Sequence, residues 1–549
     1  MKKQILFFFI TCCLVPFYSV AQQSSPRIVN VINFIRELEP RSFGISSQDL
    51  YEATYQESQQ MKAHDIKGTW LIQYDALIDT KYQQLLKSEI DRGSEVGGWW
   101  EITQPHVEAA GFEWRGRYPW DWHANVGFSV GYSPAERETL VDIYMKRFKE
   151  IFGCYPKSVG SWIIDAHSLN YMHEKYGIIA SCICRDQVGT DGYTLFGGYW
   201  NGAYYPSKVN AYMPAQTVES QIPVPIFRML GSDPIYQYDA GITSNGQSVF
   251  TLETICYGCG DDEKWVKSFF KSVFEDPCLG FSYTQSGQEN SFSWPRIEKG
   301  FKVQMQQIEN YRKKGIIRIE TLAESAEWYK SQYKVTPATS LTTLEDTFDK
   351  NHQSIWFNCR NYRANLMADG QRIFFRDIHL FDERVPSDYL SSPTSSNEFN
   401  YRTISIMDGC NWAKANQRAG ILFMARGKDG QFEELNISRF HEVDSQDNQV
   451  RVSVNTNIGK FLIMLDEQRI NVSADANTEW RLLLTAPGLE QLPVSVSDNA
   501  LIGTLKGYKA ELKIVQGNLL EEANGIWFVP CGNKVSLSAD RIQNYVNKE

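Results

Sequence analysis

Between about residues 27 and 335, short apolar runs alternate with segments of helical period, the pattern of parallel strands covered by helices. The runs predict strands at Ile28–Ile35, Thr69–Tyr74, Glu95–Trp100, Ser158–Ile164, Ile179–Cys184, Val224–Leu230, Val249–Thr254 and Gly280–Thr284. Several are too apolar to have a wet face, as expected where both faces are covered. Ser133-Pro134-Ala135-Glu136 places a capping hydroxyl, a proline at the first helical position and a glutamate reaching back, ahead of a helix over Thr139–Phe152. Thr321-Leu322-Ala323-Glu324 repeats the capping box before a helix ending near Tyr333, and Lys334 to Ser340 reads as a linker. Beyond it the helical period fades, and Asp369-Gly370 between two apolar stretches signals a hairpin. The expected fold class is α/β: a (β/α)7-8 barrel over residues 22–335, then a β-sandwich-like region over 336–549.

The N-terminus changes the compartment. Lys2 and Lys3 precede the apolar run Ile5–Val20, and Ser19-Val20-Ala21 offers small residues for cleavage, so residues 1–21 read as a secretory signal peptide. The run contains Pro16, is shorter than the roughly 20 residues needed to span a bilayer, and no later stretch replaces it. A secreted or periplasmic chain without a membrane span is expected, and a lipoprotein built on Cys12 or Cys13 is disfavoured because neither follows a well-placed cleavage box. The chain has 549 residues, 42% of them hydrophobic, enough for two or three domains with sizeable cores. Its formal net charge of −10 argues against nucleic acid as a partner. Of eleven cysteines, two leave with the signal peptide, so an odd number remains. Cys182-Ile-Cys184 and Cys256-Tyr-Gly-Cys259 invite a zinc reading, but C-x-C is poor ligand spacing, and buried thiols with one disulfide fit better.

In parallel barrels the chemistry collects at the carboxyl ends of the strands. Reading there gives Arg36 and Glu37, Asp75, Glu101, Asp165, Arg185 and Asp186, Arg228, Glu253 and Glu289. Glu101 and Asp165 lead as catalytic candidates, with Glu289 and Asp75 next and Glu253 and Asp186 behind them. Each competes with a simpler role, since acids after strands also cap helices, and Asp165-Ala-His-Ser has that form. Two aromatic clusters point to a sugar. Trp100, Trp120, Asp121 and His123 belong to a Trp-rich stretch between Trp99 and Tyr132, and Trp200 and Tyr204 to a Gly-rich loop. These loops also fit a simpler role, aromatics packing the loops themselves. Motifs for a serine hydrolase elbow, a P-loop, a zinc protease or a dinucleotide fold are missing.

Gly68 to Asp75, Ser94 to Glu101 and Tyr155 to Asp165 resemble the glycoside hydrolase/deacetylase superfamily, whose fold is a barrel of about seven strands. Cys184 to Tyr193, Tyr283 to Phe292 and Phe375 to Phe381 resemble a family of secreted bacterial domains of unknown function, over roughly residues 27–390. Deacetylases of the superfamily bind a divalent metal through paired acids and histidines, whereas this chain has Ser94 and Trp99 at the matching histidine positions. Serine and tryptophan are not zinc ligands. The resemblance therefore implies a glycosidase that uses two carboxylates, with no metal or other cofactor and a glycan or oligosaccharide as substrate. Arg36, Arg185 and Arg228 are candidates to bind an acidic sugar or to lower a neighbouring pKa. A glycan-binding barrel without catalysis and a metal-assisted polysaccharide deacetylase are the alternatives. Oligomeric state and sugar identity are not legible.

Overall fold

The computed structural model describes residues 25–238, 250–414, 417–437 and 439–539. The predicted signal peptide, its cleavage position and Val249 lie outside the described residues. Seven parallel strands form a barrel: β1 (Arg27–Ile35), β2 (Thr69–Ile72), β3 (Glu95–Trp99), β4 (Ser158–Gly160), β5 (Ala180–Ile183), β6 (Ile226–Arg228) and β7 (Ser282–Ser286). Hydrogen-bonded neighbours run in the order β7-β1-β2-β3-β4-β5-β6. The short strand Ala203–Tyr204 pairs antiparallel with β6, and Asn201 donates to the Tyr283 carbonyl of β7 at 3.1 Å, so this segment helps fill the space between β6 and β7. Arg318–Glu320 pairs parallel with the start of β1, a further short strand that its mixed polar sequence concealed.

The covering helices that matter for the site are α1 (Ser47–Ala63), α2 (Thr80–Asp91), α3 (Pro134–Phe152), α4 (Ala166–Tyr176), α5 (Glu263–Phe274), α6 (Trp294–Lys313) and α7 (Leu322–Gln332). Both predicted capping boxes are present, at Ser133 before α3 and at Thr321 before α7. The strand expected over Val249–Thr254 is not one. In its described part only Thr251 makes a bridge, to Ser232, because Thr251 and Glu253 turn back on each other through the Thr251 hydroxyl.

From Thr339 the chain is β-rich and its large sheets are antiparallel. The predicted hairpin joins Tyr362–Asp369 to Ile373–Leu380, with Gly370 at φ 85° in the left-handed region that the turn requires. Two large antiparallel sheets follow, sharing a core in which Phe461 packs edge-on against Phe423 and Trp480. The segment expected as a linker is a packed joint. Thr336 is buried and its hydroxyl accepts from the Tyr205 amide at 2.9 Å, while the Tyr199 hydroxyl donates to the Pro337 carbonyl. Phe399–Arg402, from the C-terminal region, pairs parallel with Tyr193–Phe196 in a barrel loop.

Candidate active site

Beyond β1 the chain turns at Arg36, whose side chain is fully buried. Asn290 clamps its backbone, accepting from the Arg36 amide at 3.0 Å and donating to its carbonyl at 2.8 Å. The guanidinium binds Glu101 through Nε at 2.8 Å and Nη2 at 2.6 Å, and its Nη1 binds Glu289 and the Ser291 hydroxyl. Gln73, just past β2, donates to the same Glu101 carboxylate at 2.8 Å. The Trp120 ring covers the guanidinium at 4.3 Å, and Arg41 lies 5.1 Å from the same ring. Three strand ends thus meet on one internal cation.

Next to this network is a cavity of 430 Å3, with Glu253, Glu289, Arg185 and Trp162 in its wall. Trp162 packs edge-on against Phe34 and Trp99, which stack on each other at 4.3 Å and extend the barrel core beneath it. Tyr193, Phe292 and the exposed Tyr257 add aromatic surface. Burial pushes the Glu289 carboxyl up to about 7 even though Arg36 pulls the other way. It is therefore substantially protonated at neutral pH. Glu253 accepts from the Thr251 hydroxyl and stands 3.3 Å from Arg185 Nη2. Cys256 and Cys259 are joined by a disulfide in the loop after Glu253, whereas Cys182 and Cys184 are buried thiols.

The two acids ranked first from the sequence belong to separate networks, and neither lines this cavity. Both Glu101 oxygens are engaged by Arg36. Asp165 caps α4, accepting from the Ser168 amide and hydroxyl, the Ser129 hydroxyl and, at 3.0 Å, Arg137. It serves as an N-cap because β4 ends at Gly160, well short of it. Asp75 is buried outside the cavity wall, with Oδ1 accepting from the Ala76 amide and Oδ2 unpaired, and burial raises it to about 7.

The binding candidates also divide. Arg185 lines the cavity, and Trp120 roofs the Arg36 network. Trp100 is in the core, edge-on to His106 and Tyr144. Asp121 forms a two-pronged pair with Arg117, whose Nη2 also lies 3.3 Å from His123. Asp186, Arg228, Trp200 and Tyr204 are buried against the C-terminal region or within the barrel wall instead. Asp186 binds Arg228, Arg363, Tyr212 and Tyr238. These partners, its two arginines above all, hold the Asp186 carboxyl down at about 2. Trp200 stacks on Trp356 at 4.5 Å, and the Tyr204 hydroxyl donates to the Ala211 carbonyl. Arg41, Trp162, Phe292 and Arg296 were missed. Trp162 lies within a predicted strand and just beyond the real one, whereas Arg41 sits in a loop, Phe292 in a short 3-10 turn and Arg296 in a first helical turn, all downstream of the strand ends.

The divalent metal of deacetylases does not fit these residues. Among the described residues no group of three or more His, Cys, Asp or Glu side chains is placed to hold an ion. Glu101 and Asp165 are committed to arginines, and His167 bonds Glu138 at 3.0 Å. No protein-family model and no curated protein matches the chain. Among solved structures, a Parabacteroides distasonis protein described as a glycoside hydrolase/deacetylase matches with a TM-score of 0.50 at 16% identity, over 70% of this chain and 91% of that one. A Mycobacterium smegmatis protein described as a polysaccharide deacetylase matches at 0.37 and 10% identity, over 58% and 94%. A family 4 carbohydrate esterase from Streptomyces lividans matches at 0.26 and 9% identity, over 54% and 92%. The first of these likenesses shows the fold alone: a barrel like that of the Parabacteroides distasonis protein, followed here by a β-rich region.

Proposed function

We propose that the protein is a secreted carbohydrate-active hydrolase that cleaves a glycosidic bond with two carboxyl groups and no metal. The observation that carries this reading is Glu289, a carboxyl raised to about 7 in the wall of a cavity that also holds Glu253 and several aromatic faces. In this scheme Glu289 gives its proton to the glycosidic oxygen as the C1–O bond breaks, the electron pair leaving with that oxygen. Glu253 acts as nucleophile or as the base that takes a proton from water attacking C1. Arg36 holds Glu289 in place, and Glu101 and Gln73 hold Arg36. Trp162 offers its face to the apolar side of the sugar.

The test is hydrolysis of a glycan panel by residues 22–549, beside Glu289→Gln and Glu253→Gln, reading reducing ends and acetate. New reducing ends that disappear in both variants support the scheme. Acetate without reducing ends moves the assignment to deacetylation. A second reading, glycan binding without turnover, has its own support in the saturation of Glu101 and Asp165 by arginines and a helix cap. It predicts saturable binding with no product.

A further inference from the structure

The arginines around the cavity are unequally satisfied. Arg41 binds both oxygens of Glu39 through Nε and Nη2 at 2.8 Å each, and its Nη1 lies 3.4 Å from Asp191. Arg36 is saturated by Glu101, Glu289 and Ser291. Arg185 differs. Its side chain is 4% exposed, its Nη2 stands 3.3 Å from one oxygen of Glu253, its Nη1 reaches only the Cys184 sulfur at 3.2 Å, and its Nε is buried without an acceptor among the described residues. A guanidinium so far out of water and so poorly paired is costly unless an acceptor arrives.

Two further positive features border the same space. Arg296 lines it, with its guanidinium 5.0 Å from the Phe292 ring centroid and no carboxylate in ion-pair contact among the described residues. It lies in the first turn of α6, a helix of 20 residues whose N-cap, Ser293, makes no side-chain capping bond, so the positive end of the helix dipole abuts the cavity. Arg36 is answered by Glu101 and Glu289, and Arg41 by Glu39 and Asp191, while Arg185 has one oxygen of Glu253 in reach. That leaves Arg296, the helix end and the spare N–H of Arg185.

We infer that the glycan taken by this site is anionic, its carboxylate or sulfate seated against Arg185 and Arg296. A uronate or a sulfated sugar supplies the planar or three-fold oxygen acceptors that a guanidinium fork matches. A neutral sugar leaves the Arg185 N–H and the Arg296 guanidinium without an anionic acceptor. The inference rests on the proposed function only in placing a sugar in this cavity, so binding tests it separately from turnover.

The experiment measures binding to the Glu289→Gln form of residues 22–549 by calorimetry. The probes are a glucuronate-containing oligosaccharide, a sulfated galactose oligosaccharide and neutral oligosaccharides of equal length. One anionic class is expected to bind about tenfold or more tightly than its neutral counterpart, with affinity falling as salt is raised, and which class does so identifies the source of the charge. Arg296→Gln, at an exposed position, should remove about tenfold of that preference. Arg185→Lys, which keeps the charge but loses the guanidinium fork, should likewise weaken anionic binding if it retains the wild-type melting curve. Equal or tighter binding of neutral sugars, binding of neither class, or a preference unmoved by Arg296→Gln overturns the proposal. If neutral glycans alone are bound and cleaved, the anionic inference falls and the glycosidase stands. If anionic glycans are bound and never cleaved by the wild type, the reverse holds.

Discussion

Replacing Arg36 by glutamine tests the central network most directly. The substitution removes a fully buried cation from between two carboxyl groups, Glu101 at 2.6 and 2.8 Å and Glu289 beside it. One unit charge pair at a separation of about 4 Å and an effective dielectric constant of about 20 is worth roughly 4 kcal/mol, and breaking a buried pair costs about 3–5 kcal/mol. The two carboxylates share one cation, so the losses do not add, and about 4 kcal/mol is the expected total. At about 2 °C per kcal/mol for a unit this large, the melting temperature should fall by roughly 8 °C at neutral pH. The pH dependence carries the sharper signature. Arg36 lowers the Glu289 pKa, so without it Glu289 rises above its value of about 7. A protonated Glu289 needs no cation, so its share of the deficit should be nearly absent at pH 5–6 and should open as the pH rises above about 7, where the wild-type carboxyl ionises beside Arg36. Thermal melts followed by circular dichroism from pH 5 to 8 measure both effects, and Arg36→Gln/Glu101→Gln should recover part of the loss because the second orphaned charge is gone. A variant that melts with the wild type at pH 7, or a deficit that is flat with pH, refutes the reasoning.

Glu289→Gln should lower kcat by about 10²–10⁴, and in the wild type kcat/KM should fall roughly tenfold per unit above about pH 7 as the acid loses its proton, which a pH–rate profile checks. Asp75 is raised from 3.8 to about 7 by burial, so the wild type loses stability between those values as the unfolded chain ionises first. Asp75→Asn should remove that slope, gaining at most about 4 kcal/mol at pH 8 in denaturation measured across pH. Asp165→Ala strips the cap from α4 and leaves Arg137 buried without its carboxylate, and a loss of about 3–5 kcal/mol is expected by thermal melting. Trp162→Ala should weaken glycan binding by about tenfold, read by calorimetry, through loss of the stacking face.

The barrel was legible because its strands are buried on both faces and written as apolar runs such as Val29 to Ile35, and because Ser133 and Thr321 announce their helices by local hydrogen bonding. Asp165, ranked as a catalytic acid, had the cap as its competing role for the same reason, and the structure makes it the cap. The pairing of Arg36 with Glu289 was not, since it joins side chains 253 positions apart and depends on which strands become neighbours. The Gly-rich loop carrying Trp200 and Tyr204 misleads because aromatic residues that bury a loop and aromatic residues that hold a sugar look alike in sequence. Only the stack of Trp200 on Trp356 distinguishes them. Asp186 likewise has an acid's position after a strand, but its charge is answered by Arg363, far along the chain in the C-terminal region.

The strand Phe399–Arg402 makes the C-terminal region a structural part of the barrel mouth. It hydrogen-bonds along Tyr193–Phe196, and its Phe399 ring lies flat on Tyr193, a wall residue of the cavity, at 4.4 Å. A protease cut or a stop codon near residue 335 would therefore do more than detach an accessory module. It would unzip a strand behind the cavity wall, strand the Asp186 carboxylate without Arg363, and bare the face of Trp200. A barrel cut free of residues 336–549 is expected to lose its wall as well as its neighbour.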